Sequence, residues 1–182
     1  MLSVRALRYW YLAYGSQPRH ERLLYRSIRQ HRVQRILELG LASTERACRL
    51  IEVAARYGGG RVSYTGIDLF ELRSGDSSGV SLKLAHRRLS ASGARVRLVP
   101  GDPYSALSAV ANSLSGTDLV IVSADQDREA LAKAWFYLPR VLAPSAAVYL
   151  EQPAADGSLG LRLLPADELA RLAAPPHRRR AA

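Results

Sequence analysis

Arg35-Ile36-Leu37-Glu38-Leu39-Gly40-Leu41-Ala42-Ser43-Thr44 begins as an apolar run and ends on an acid, a glycine and two helix-capping residues. Beyond it, Ala47, Leu50, Ile51 and Ala54 fall at i, i+3, i+4 and i+7, forming one apolar stripe. The pattern predicts a strand, a tight turn and a helix. Such a junction aims free backbone N–H groups and a helix dipole at whatever lies above the strand's carboxyl end. In an open α/β sheet, ligands bind at that edge.

The same alternation continues on either side. Before it, Gly15-Ser16-Gln17-Pro18 breaks an aromatic, basic segment (Tyr9, Trp10, Tyr11, Tyr14) from a predicted helix reaching Gln30. That helix carries Arg19, Arg22, Arg26 and Arg29 on one face and Leu24 and Ile28 on another. The arginine face fits two readings, a solvated face of an amphipathic helix or a platform for phosphates. After it, a strand over 33–39 and a helix over 44–57 end at Gly58-Gly59-Gly60, as glycine at a C′ position does. A strand over 62–68 finishes on Asp68. A polar loop with Gly75 and Gly79, a helix over 80–91 and a strand over 95–99 follow.

Leu107, Val110, Ala111 and Leu114 mark the next helix. Asp118 to Val122 is a continuous apolar strand of the kind found at the centre of a parallel sheet. Leu131, Ala134, Trp135 and Leu138 mark a further helix, with Pro139 expected near its end, and 146–150 a fifth strand closing on Glu151-Gln152. A last strand over 159–164 and a short helix over 167–173 complete the pattern. Strands and helices alternating in this way predict an α/β fold, a doubly wound and mostly parallel sheet with helices on both faces.

Size and composition bound the rest. The 182 residues suit one domain, and 48% are hydrophobic, enough for a core. No run approaches the roughly 18 apolar residues of a membrane helix. Arg5 and Arg8 are not followed by a signal-type apolar region, so the expectation is a cytoplasmic protein with no membrane partner. A lone Cys48 excludes an internal disulfide and a multi-cysteine metal site. The formal net charge is +10, and since Lys83 and Lys133 are the only lysines, 24 of the 26 basic residues are arginines. That bias, beside so much alanine, fits a GC-rich genome, so nucleic acid is not the favoured partner. His20, His31, His86 and His177 lack metal-ligand spacing, and no nucleophile elbow or Walker loop occurs.

Candidate chemistry lies at the strand ends. Glu38, Asp68, Asp102, and Ser123 followed by Asp125 all fall at or just past predicted strands, whose carboxyl ends share one edge. A carboxylate beyond the second strand has two acceptor oxygens for both ribose hydroxyls of a nucleoside. Asp102 is placed to accept from an adenine amine.

Glu38-Leu39-Gly40, Gly66-Ile67-Asp68, Gly101-Asp102 and Asp118-Leu119-Val120-Ile121-Val122-Ser123-Ala124-Asp125, in this order, resemble the class I S-adenosylmethionine-dependent methyltransferases. The nearest group is the catechol and caffeoyl-coenzyme-A O-methyltransferases, over residues 20–152. The resemblance implies a seven-stranded Rossmann-like sheet with S-adenosylmethionine over the first two strands. Gly40 would line its methionine part, Asp68 would hold the ribose and Asp102 would lie beside the adenine, with Glu38 and Ser123 completing the cofactor set. Where the family has further glycines, this chain has Ala42 and Thr44. Where the metal-dependent group has an aspartate after strand four and an Asp-Asn pair after strand five, it has Ser123 and Glu151-Gln152. No metal is therefore expected.

The organisation implied is a single domain: a helical arm over 1–31, a Rossmann-like core over 32–152, a short extension over 153–174 with the usual antiparallel strands truncated, and a disordered basic tail over 175–182. The expected function is S-adenosylmethionine-dependent methyl transfer to an unidentified acceptor, a small molecule or otherwise, with Asp125 or Glu151 as candidate general bases. The alternatives are a catalytically inactive methyltransferase fold used for binding or interaction, and an RNA-associated protein using the arginine face. A homodimer is a candidate assembly, with the N-terminal aromatic segment over the sheet or a partner.

Overall fold

A computed structural model describes residues 4–73, 80–154 and 157–175. Six strands form one sheet: β1 (Arg35–Leu39), β2 (Ser63–Asp68), β3 (Arg95–Pro100), β4 (Thr117–Val122), β5 (Leu142–Pro153) and β6 (Leu159–Leu163). Their order is β3-β2-β1-β4-β5-β6. The first five are parallel and β6 pairs antiparallel with β5. The chain runs outward from β1 to β3 and then crosses back to β4. This makes β1 and β4 the point where the connections reverse direction, and the loops above them diverge to leave a crevice.

Eight α-helices cover the two faces: α1 (Val4–Trp10), α2 (Arg22–His31), α3 (Thr44–Tyr57), α4 (Leu82–Ser90), α5 (Pro103–Val110), α6 (Arg128–Ala134), α7 (Leu138–Val141) and α8 (Ala166–Ala173). Strand alternation divides the core. Ile36, Tyr64, Leu119, Ile121 and Tyr149 pack with residues of α2, α3 and α4 in one layer. Leu37, Leu39, Ile67, Val120, Val122 and Val148 pack in the other with residues of α5, α6 and α7. The central strands are apolar on both faces, as burial on both sides demands.

Local signals in the sequence set the helix starts. Ser43 Oγ accepts from Arg46 N at 3.0 Å and caps α3. Asp102 caps α5, with Pro103 in its first turn. Gly59, at φ +75°, supplies the left-handed residue after α3.

Several expectations are refined. Six strands occur among the described residues where the resemblance implies seven, and one antiparallel strand, β6, is present beyond β5. The helix expected through Leu138 is broken into α6, a 3-10 turn at Trp135–Tyr137, and α7. Pro139 lies in the first turn of α7 and does not end the preceding helix, because its fixed φ suits a helix start. Strand β5 is far longer than expected, since its first residues pair around an irregularity beside Thr117. Gly75, Gly79 and the tail from residue 176 lie outside the described residues. Among those described, no helix is long and apolar enough to cross a membrane.

Gly58 closes α3 against the strand entrance. A Cβ there would lie 2.6 Å from the Val33 carbonyl and 2.8 Å from that of Ala54. Gly58→Ala is expected to lower stability by about 1–3 kcal/mol, the usual cost of overpacking. Gly60→Ala meets only the flexible Gln34 side chain and is expected to cost less than about 0.5 kcal/mol. Urea unfolding midpoints of the two variants check the contrast.

Candidate functional site

The carboxyl rim is built from the loops after β1, β2, β3 and β4. Gly40 sits at φ +88° and its N–H donates to Ile67 O at 2.7 Å, which turns the chain sharply off β1. A Cβ at Gly40 would meet the Gln126 amide and the Ser123 Cβ, so only glycine fits. The Gln126 side chain therefore lies directly over the turn.

Asp68, 3% exposed at the end of β2, ties this loop down. Its Oδ2 accepts from Leu41 N at 2.6 Å and from Arg73 Nη2 at 2.7 Å. Its Oδ1 accepts from Phe70 N at 2.7 Å and Arg73 Nε at 3.2 Å. Four donors fill the carboxylate's capacity. Arg73 also donates to Asp125 Oδ2 through Nη1, joining the ends of β2 and β4. The hydrogen bonds that Arg73 donates to Asp68, and to Asp125, hold its guanidinium well above its ordinary pKa despite partial burial. Partial burial works against the Asp125 carboxylate, but hydrogen bonds from Arg73 and Gln126 outweigh it and hold the group below the usual range.

A cavity of about 280 Å³ opens beside this clasp, lined by Leu69, Arg73, Asp102, Pro103, Asp125 and Gln126. It lies just below the ~300–1,000 Å³ range of small-molecule sites. Asp102 forms part of its wall while capping α5: Oδ1 accepts from Tyr104 N at 2.9 Å and Ser105 N at 3.0 Å, and Oδ2 from Ser105 Oγ at 2.6 Å. Partial burial opposes its charge, yet these bonds keep Asp102 below the usual carboxylate range.

The other sequence-predicted residues gather elsewhere, inside the layer under α3. Arg46, 1% exposed, reaches from the first turn of α3 between Glu38 of β1 and Glu151 of β5. Arg46 Nε donates to Glu38 Oε1 at 2.9 Å, and Nη1 donates to Glu151 Oε1. The Tyr64 hydroxyl donates to Glu38 Oε2, and Ser123 Oγ donates to Glu151 Oε2 at 3.0 Å. His20 Nε2 stands 3.6 Å from Glu151. Burial pushes the Glu38 carboxyl up, against the pull of Arg46 and Tyr64. Burial alone would lower Arg46, but Glu38 and Glu151 outweigh it and keep the guanidinium charged.

The strand-end residues thus fall into two groups. Asp102 and Asp125 border one cavity, with Asp68 joined to it through Arg73 and Gly40 lying under Gln126. Glu38, Ser123 and Glu151 form a separate buried cluster on Arg46. Sequence reasoning missed Arg46, Arg73, Gln126 and Tyr64. Arg46 carried a signal: with Leu50, Val53 and Ala54 it follows i, i+4, i+7 and i+8, the core-facing stripe. Arg73 and Gln126 sit in loops without periodicity and carried none. Among the described residues no group of three or more His, Cys, Asp and Glu is arranged to hold a metal.

Replacing Arg46 by methionine leaves two buried carboxylates without their cation. Arg46→Met is expected to cost about 3–5 kcal/mol in stability, and adding Glu38→Gln to it is expected to restore part of the loss. Urea denaturation followed by circular dichroism reads both.

No protein-family model and no curated protein sequence matches the chain. Solved structures match it by shape. The O-methyltransferase TomG from Streptomyces achromogenes, in complex with SAM, superposes with a TM-score of 0.53 at 18% identity, over 85% of this chain and 67% of that one. An O-methyltransferase from Bacillus cereus, in complex with SAH, gives 0.54 at 16%, over 80% and 61%. The trans-methyltransferase CalH, in complex with SAH, gives 0.51 at 17%, over 95% and 44%. The chain therefore spans between 44% and 67% of the length of these three proteins. Its fold is that of the class I S-adenosylmethionine-dependent methyltransferases.

Proposed function

We propose that the protein binds S-adenosylmethionine across the carboxyl rim and passes its methyl group to an acceptor still to be identified. The adenosyl end lies in the cavity between Leu69, Asp102 and Gln126. That cavity carries the reading, because it stands at the carboxyl ends of β2, β3 and β4 beside the reversal point of the sheet.

The fixed parts of the rim suit this ligand. Gly40 has no side chain to block close approach once Gln126 moves, and Asp68 stands at the end of β2 for the ribose. Two side chains must turn aside first. Arg73 fills half of the acceptor capacity of Asp68, and the Gln126 amide covers Gly40. Arg73 is 23% exposed, so its pairs are partly screened and exchangeable. Glu38 and Ser123 act from beneath the rim, fixing the ends of β1 and β4.

S-adenosylmethionine, when bound, supplies an activated methyl on its sulfonium. This chain's own contribution is position. As general bases the two candidates are weak. Asp125 is held below the usual carboxylate range by Arg73 and Gln126, and Glu151 is enclosed by Arg46 and Ser123. An acceptor that reacts without losing a proton to the protein, or that loses it to solvent, fits this site best. Small-molecule methyl acceptors and a cytoplasmic location belong to this reading. Exposed Leu7, Trp10, Tyr11 and Tyr14 offer the surface for a homodimer.

One observation favours a second reading, an inactive methyltransferase fold used for binding. Asp68 and Asp125 at the rim, and Glu38 and Glu151 beneath it, are already paired with arginines of the same chain. Calorimetry with S-adenosylmethionine and S-adenosylhomocysteine separates the two. The first reading expects saturable binding to the wild type, roughly tenfold tighter in Arg73→Ala, which frees two acceptors on Asp68. It also expects loss of binding in Leu69→Trp, which fills the cavity. No heat from either wild type or Arg73→Ala overturns it in favour of the second.

A further inference from the structure

The amino end of the sheet, opposite the rim, holds a second cavity of about 420 Å³. Arg35, Arg95, Arg97, Ser63, Thr65 and Ser113 line it. The strand register explains how they meet. Arg35 of β1, Ser63 of β2 and Arg95 of β3 form one row, and Leu37, Thr65 and Arg97 form the next. Residues two apart on a strand share a face. Neighbouring strands lie about 4.8 Å apart, so the Arg35 and Arg95 backbones stand about 10 Å apart with a hydroxyl residue between them.

Two of the three guanidinium heads are tethered at the cavity. Arg35 Nη1 donates to the Ser115 carbonyl, and Arg97 Nη1 donates to Ser113 Oγ at 2.6 Å. Among the described residues, none of the three makes an ion pair. Asp118, at the same end of the sheet, gives its carboxylate to the backbone N–H groups of Gln34 and Arg35, at 2.8 and 2.9 Å. Three unneutralised cations around a concave space focus positive potential into it.

We propose that Arg35, Arg95 and Arg97, with Ser63 and Thr65, form a binding site for a small ligand carrying two phosphate groups. Guanidinium forks and hydroxyls are the donors that phosphate oxygens require. The volume falls within the ~300–1,000 Å³ of small-molecule sites. Among the described residues no aromatic ring lines the cavity, so a nucleobase finds nothing there to stack on, and the phosphates carry recognition. A concave pocket bounded by β1, β2, β3 and the turn from Ser113 to Thr117 suits a compact ligand better than the extended backbone of a nucleic acid.

Inorganic pyrophosphate is the probe, titrated calorimetrically into the full chain at low salt. One saturable site is expected. Arg95→Gln, at an exposed position, and Arg97→Gln are each expected to weaken binding roughly tenfold or more. Arg128→Gln, on exposed α6, is expected to leave it unchanged, and circular dichroism verifies that all variants fold. Absence of saturable heat overturns the proposal, as does equal weakening by Arg128→Gln. A single-stranded RNA that binds with steep salt dependence lost in Arg95→Gln, while pyrophosphate gives no heat, overturns it in favour of a nucleic-acid surface. None of these readouts depends on S-adenosylmethionine, so this proposal and the function assigned to the rim fail independently.

Discussion

A single buried cation, Arg46, sets the geometry of the central layer. Taking a guanidinium out of water costs several kcal/mol unless its partners are close and fixed. Glu38 on β1 and Glu151 on β5 supply that compensation, and they lie on strands separated in the sheet only by β4. The first turn of α3 is thereby anchored over three neighbouring strands at once. Ser43 caps the same turn through Arg46 N, so the backbone and the side chain of one residue hold the helix start. The β1–α3 loop is thereby fixed from below.

The rim above repeats the device in a looser form. Arg73 also joins carboxylates from two strand ends, Asp68 after β2 and Asp125 after β4. The difference is exposure: Arg46 is 1% exposed and Arg73 is 23%. A buried pair is strongly coupled, whereas a partly solvated one is weakened by water and salt. The lower cluster is therefore permanent architecture, while the upper clasp is made of groups that solvent or a polar ligand can replace. On the proposed function, that contrast is what lets Asp68 take the ribose although all four of its acceptor positions are filled.

The fold was largely legible because its signals are local. The helix over 44–57 coincides with α3, since a capping serine, an apolar stripe and a glycine run mark both of its ends. The apolar run at Asp118–Val122 lies in β4 at the middle of the sheet. The site was legible only in part. Strand ends identified Glu38, Asp68, Asp102, Ser123 and Asp125 as neighbours of one edge, but not which way each side chain turns. Strand alternation sends Glu38, Ser123 and Glu151 into the layer under α3, whereas Asp68 and Asp125 stay at the tips. The arginines that separate the two groups come from a helix turn and a loop. Pairing across Glu38–Arg46–Glu151 spans 105 positions between Arg46 and Glu151, and no short-range pattern reports such a contact.

Charge is distributed along the strands by the same logic. At the carboxyl end, Arg46 and Arg73 are each engaged by two carboxylates. At the amino end, Arg35, Arg95 and Arg97 face a cavity with no acid paired to them among the described residues. A net charge of +10 therefore does not spread as a uniform field. The arginine face of α2 contributes less free positive charge than its sequence implies, because Arg29 lies over the rings of Tyr9, Trp10 and Tyr57 and Arg26 over Tyr14. Those contacts hold the arm against α2 by cation–π attraction and leave the guanidinium groups partly covered. Among the described residues, Arg35, Arg95 and Arg97 instead form a concave group without ion pairs under the strand starts. If that cavity takes the anion proposed for it, the two ends of one sheet serve different ligands: unpaired guanidinium groups at the strand starts, and carboxylates already clasped by arginine at the strand ends.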